Sequence, residues 1–221
     1  MIPPEKIESM QVGFVRTLGR VGIEPVDVYP LFDELVEAYQ QPHRYYHNLE
    51  HVAEMLKIVG RLSDRTSDPL AVTLAVWFHD AVYDPRSHDN EAASATLARE
   101  RLSTLRLDPG LVARVADLIL ATAHTGASTD DPDAMVLLDA DLGILGADEK
   151  RYRRYAAAIR REYAHVADEA YRIGRAGVLG AFLKRDAIYR TERMHQTGEE
   201  FARTNLRREI HELTGENTDA L

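Results

Sequence analysis

The amino-acid sequence predicts an all-α protein, and three observations carry that expectation. Apolar residues recur at helical spacing, aspartate–proline pairs stand where helices should begin, and strand-type alternation bounded by turns is absent. In residues 51–62, Val52, Met55, Leu56 and Val59 fall on one helical face. The run AVTLAVWFHD, residues 71–80, is almost unbroken in apolar character and predicts a helix buried on most sides. Leu111, Val112, Val115, Leu118 and Ile119 form a third stripe, and Tyr152, Tyr155, Ile159 and Tyr163 a fourth, in which the tyrosines read as core. Asp68 before Pro69 and Asp108 before Pro109 each place a capping carboxylate ahead of a proline, whose missing N–H costs nothing in a first turn. Thr197 and Glu200 have the spacing of a capping box. The run AMVLL, residues 134–138, is the one short apolar segment that could pass for a strand. The expected count is nine or ten helices.

No repeat, low-complexity tract or interdomain linker breaks the pattern, so one domain over residues 1–221 is expected. Hydrophobic residues make up 45% and charged residues 29%, the balance of an ordinary globular chain. A net charge of -9 argues against a general nucleic-acid binder. There is no cysteine, which removes disulfides, thiol nucleophiles and thiolate-held zinc or iron–sulfur clusters. No apolar run approaches the ~20 residues that span a bilayer, and the N-terminus lacks a secretory apolar region; a cytoplasmic protein without a membrane partner is expected.

Four polar clusters interrupt the apolar helices: His47 to His51 (HNLEH), His79 with Asp80, His124, and Asp139 with Asp141. Closing a buried helix with an imidazole beside a carboxylate is costly, because an ionised group leaving water needs a partner or must neutralise. A divalent cation suits both groups at once. Antiparallel helices can bring such side chains to one point inside a bundle. Mixed imidazole and carboxylate donors accept Mn, Fe, Co, Ni, Zn or Mg without choosing among them. Loops near residues 85–89 and 126–133 follow candidate ligands and read as the rim of a site. HNLEH also satisfies the H-x-x-E-H pattern of zinc peptidases, but that reading leaves His79, Asp80 and Asp141 unexplained. Phosphate-cradling glycine motifs and G-x-S-x-G are absent.

His51, then His79 with Asp80, then Asp141 resemble the H…HD…D signature of the HD superfamily of metal-dependent phosphohydrolases. The stretches HRYYHNLEHV, WFHDAVYDPRSHDNEAASA and LLDADLGILG resemble a bacterial subgroup of that superfamily, and the likeness runs over roughly residues 40 to 210. The resemblance implies an HD-type helical bundle with one divalent metal ion at its centre, held by His51, His79, Asp80 and Asp141. His47 stays open as an alternative first ligand, and Asp139 as an alternative last one.

The resemblance further implies hydrolysis of a phosphomonoester or pyrophosphate bond in a nucleotide or small metabolite. Asp80, Asp84 and Glu91 are the candidate catalytic acids, Glu91 as proton carrier. His47, His124, Arg44, Lys184 and Arg185, with Arg190, are candidate substrate contacts, since fixed cations stabilise developing phosphoryl charge. The expected partner is a small phosphorylated substrate, with homo-oligomers left open. Two other activities fit the same likeness: a di-iron oxygenase recruiting His124 and His47, or a non-catalytic nucleotide-binding module.

Overall fold

A computed structural model describes residues 2–123 and 129–215. Among the described residues there are ten α-helices and no strand. The chain divides into two compact units, residues 1–137 and 138–221.

The first unit contains α1 (Pro4–Gly19), α2 (Pro25–Tyr39), α3 (Leu49–Arg61), a 3-10 turn at Ser63–Arg65, α4 (Pro69–Phe78), α5 (Asn90–Thr104) and α6 (Pro109–Ala121). The division falls within α7 (Pro132–Asp141). Helix α4 is the core element and packs against α3, α5 and α6. Ala71, Val72 and every residue from 74 to 78 are buried, as the unbroken apolar run predicts. Its start is set by Asp68, whose side chain accepts from the Ala71 N–H at 2.9 Å, with Pro69 in the first turn. Asp108 caps α6 in the same way. Phe14 of α1, Phe32 of α2 and Trp77 of α4 form one aromatic cluster with ring centroids 4.9 to 6.0 Å apart. Burying side chains of this size contributes about 1.5–3 kcal/mol each before chain entropy is set against it, so this cluster anchors α1 and α2 to α4. Asp133 is fully buried and accepts from the Ser67 and Asp68 N–H groups and from Arg114.

The second unit contains a 3-10 turn at Leu142–Gly146, α8 (Glu149–Glu162), α9 (Asp168–Leu183) and α10 (Glu192–Thr214). Helix α10 packs against α9, α8 and the 3-10 turn. The backbone at Gly146 and Gly198 approaches so closely that a Cβ on Gly146 would lie 3.0 Å from the Gly198 carbonyl oxygen. Arg175 spans Glu209 and Tyr155, and the Tyr152 hydroxyl donates to Glu209. Burial, then the carboxylate beside it, raises the Tyr152 pKa, which keeps the phenol a donor.

One ambiguity is settled and one local expectation corrected here. Residues 134–138 are helical, inside α7. Thr197 does not cap a helix: it lies inside α10, and its hydroxyl donates to the Arg193 carbonyl at 2.8 Å. Thr191 is the cap, accepting from the Met194 N–H. A threonine inside a helix can share the carbonyl four residues back with its own backbone N–H, so the capping-box spacing is matched inside α10 without a helix start.

Glu199 anchors the segment before α10. Its carboxylate accepts from the Ile188 and Tyr189 N–H groups and from Arg203. Burial alone would push this carboxyl up, but those donors outweigh it and hold its pKa below the usual glutamate range. The carboxylate therefore contributes stability that is fully present above the unfolded value, about 4.3, and lost as pH falls through the lower folded value. The native chain is expected to lose urea midpoint between pH 6 and about pH 3.5, and Glu199→Gln should flatten that loss. Identical pH profiles for the two chains would contradict this assignment.

Candidate metal centre

The site in the first unit is built by two helix ends. Asn48 caps α3 and accepts from the Glu50 N–H at 2.8 Å, which makes His51 the third residue of that helix. His79 directly follows α4 and still donates its N–H to the Ala75 carbonyl at 2.8 Å. Both imidazoles are buried. Their Nε2 atoms lie 3.1 Å apart. The Asp80 Oδ2 lies 3.1 Å from the His79 Nε2 and 3.9 Å from the His51 Nε2. The Asp80 side chain is 14% exposed, so the group of three opens toward solvent on the carboxylate side.

His79 has a defined tautomer. Its Nδ1 lies 2.9 Å from the Val76 carbonyl oxygen. A carbonyl only accepts, so Nδ1 carries the proton and the neutral ring keeps a lone pair on Nε2. That is the second-sphere arrangement by which metal-binding histidines are oriented.

The backbone around this pair is braced from outside. The Tyr39 hydroxyl donates to the Trp77 carbonyl at 3.1 Å and accepts from the Asp80 N–H at 3.3 Å, joining the end of α4 to the residue that follows His79. Arg44 is buried. Its guanidinium donates to the carbonyls of Asp80 at 2.6 Å, Ala81 at 3.0 Å and His47 at 3.2 Å, and to the Gln41 side chain. Ser94 of α5 holds both the N–H and the carbonyl of Val82. Tyr39 and Ser94 were not singled out from the sequence. Their partners are backbone groups, which leave no residue-type signal.

Tyr39→Phe removes one hydroxyl that serves two backbone groups. We expect a loss of about 1–3 kcal/mol, the cost of leaving buried polar groups unsatisfied, read from chemical denaturation. A change under a few tenths of a kcal/mol would show that the bridge contributes nothing.

The remaining candidates are distributed as follows. The His47 ring packs against Tyr46 and Tyr83, with centroids 5.0 and 4.3 Å away, and lies 6.0 Å from the His51 ring. Glu50 of the H-x-x-E-H pattern is exposed. Asp84 holds the turn before α5: its side chain accepts from the Arg86 N–H, and its backbone pairs with the Asn90 amide. Glu91 is half-buried in the first turn of α5. His124 lies outside the described residues.

Asp141, Asp139, Lys184, Arg185 and Arg190 belong to the second unit. Asp141 is the last residue of α7 and is half-buried. Asp139 is fully buried and accepts from the Arg190 N–H and from the N–H and hydroxyl of Thr191, at 2.6 to 2.8 Å. Burial pushes the Asp139 carboxyl up despite those three donors. Lys184 is exposed just after α9, and the Arg185 guanidinium lies 4.2 Å over the Phe182 ring.

No family model, curated protein or solved structure matches this chain. No helix among the described residues is long and apolar enough to cross a membrane.

Proposed function

We propose that this chain is a metal-dependent phosphohydrolase whose divalent cation is held by His51, His79 and Asp80, with Asp141 as a fourth ligand. One observation carries the reading. Two buried imidazole Nε2 atoms and a carboxylate oxygen from separate helix ends converge, the nearest pairs 3.1 Å apart. The donor set fits a cation. The Val76 carbonyl already fixes the His79 tautomer that a ligand needs, and the carboxylate supplies negative charge. A cation needs the Nε2 lone pair of both rings, so protonation of the imidazoles competes with it and affinity should fall at acid pH.

When bound, a divalent cation polarises a phosphoryl oxygen and lowers the pKa of water. The chain's own residues supply the rest. Arg44 and Tyr39 hold the Asp80 backbone so that its carboxylate faces the two rings. Glu91 and Asp84 are the proposed proton carriers, and His47 among the rings of Tyr46 and Tyr83 the proposed wall against the substrate. The substrate class is a phosphomonoester or pyrophosphate of a nucleotide or small metabolite. The cations Lys184 and Arg185 enter the proposal on the HD resemblance alone.

The test is direct. The purified protein is assayed for bound metal and then for phosphate release from a panel of nucleotides and phosphoesters with Mn, Mg, Co and Ni. One divalent ion per chain and metal-dependent release are expected. Failure to retain any metal together with no release, or two irons per chain with oxygen consumption, would overturn the proposal.

A further inference from the structure

A groove of about 420 Å³ opens in the first unit between α1, α3 and α4, and none of the candidate metal ligands lines it. That volume lies in the range of small-molecule sites. Its lining is apolar, with half-buried Met10 and Leu56 over the buried Phe14 and Trp77, and it also carries Lys6 and Arg16. No carboxylate lines it, although the chain holds 36 acidic residues against 27 basic ones. Among the described residues, neither the Lys6 nor the Arg16 side chain has a hydrogen bond or an ion pair.

The groove is open because two helices forgo side chains there. Gly13 lies inside α1 and Gly60 in the last turn of α3, and both line the groove. A Cβ at either position would meet nothing within 4 Å, and neither residue has a positive φ. Glycine is the poorest helix former after proline. Neither backbone strain nor close packing calls for it at these two positions, and what the two glycines preserve is the space.

The chemistry of the lining selects among anions. The hydroxyls of Thr17, Ser63, Thr66 and Thr73 are all spent on nearby backbone carbonyls. They therefore present methyl and methylene surface, and of the lining hydroxyls only that of Ser9 is left to read the polar edge of a nucleobase. We propose that this groove binds an anionic amphiphile, a medium-chain carboxylate whose alkyl chain lies on Met10 and Leu56 above the buried Trp77 and whose head group meets Lys6 or Arg16.

Trp77 is the only tryptophan in the chain and lies just beneath the groove, so its emission reports on occupancy there. The intact protein is titrated with decanoate below its aggregation concentration, and in parallel with decyltrimethylammonium and with AMP. Saturable change with decanoate is expected, at least tenfold tighter than with the cationic amphiphile, and none with AMP. Lys6→Gln combined with Arg16→Gln should weaken decanoate at least tenfold. Gly13→Leu should fill the groove, abolish the response and raise the melting temperature. Gly60→Leu serves as a second filling variant should Gly13→Leu fold poorly. Equal binding of both amphiphiles, a response to AMP instead, or undiminished decanoate binding in a folded filling variant would each overturn the proposal.

Discussion

Asp80→Ala is expected to abolish metal retention and phosphoester turnover while leaving far-UV helicity unchanged. The two consequences separate because the residue acts through separate groups. Its carboxylate oxygen lies 3.1 Å from the His79 Nε2 and 3.9 Å from the His51 Nε2. Its backbone N–H and carbonyl are the groups held by Tyr39 and Arg44. Alanine removes the first and keeps the second. The proposed ligand set then keeps two imidazoles and Asp141, and loses half the negative charge that favours a hard divalent cation. If the bound cation supplies several kcal/mol of transition-state charge stabilisation, turnover should fall by about three orders of magnitude, since each ~1.4 kcal/mol is tenfold. Metal analysis and phosphate release on one preparation decide the matter. A folded variant that keeps its metal and its rate removes Asp80 from the mechanism.

The sequence made some parts of this molecule legible and hid others, for identifiable reasons. The start of α4 was readable because Asp68 and Pro69 act within one turn, through contacts between near neighbours. The burial of α4 was readable because nearly every residue is apolar. Residues 134–138 were ambiguous on the same ground: an apolar run buried on several sides has no period to distinguish helix from strand. Thr197 misled because a short capping pattern also arises inside long helices, where the hydroxyl bonds its own backbone. At the site, residue type and order pointed to His51, His79 and Asp80. The bracing of that site was hidden, because Tyr39, Arg44 and Ser94 bond to main-chain atoms that every residue carries.

Arg44 shows that difference most sharply, and its replacement is the largest stability loss we expect. From the sequence it is a cation near histidines, a candidate phosphate contact. In the folded chain its guanidinium is buried and donates to three backbone carbonyls, two of them 36 and 37 residues away. It also lies over the rings of Tyr39 and Tyr83, 5.1 and 5.4 Å from their centroids. Arg44→Ala leaves those carbonyls without their donor, at about 1–3 kcal/mol each where water does not replace it. A total of about 3–6 kcal/mol would take a large share of a typical 5–15 kcal/mol stability. At about 2–4 °C per kcal/mol for a chain of this size, the melting temperature should fall by roughly 10 °C or more. Arg44→Lys should recover little, because an ammonium is a point charge and cannot reproduce the planar fork that reaches separate carbonyls. Metal affinity should fall with stability, since the Asp80 carbonyl loses its anchor. That joint loss distinguishes Arg44 from Asp80, whose truncation is expected to remove the metal and spare the fold. If Arg44→Ala melts within 2 °C of the native chain, the guanidinium is free to serve a substrate phosphate, and the bracing role assigned to it here fails.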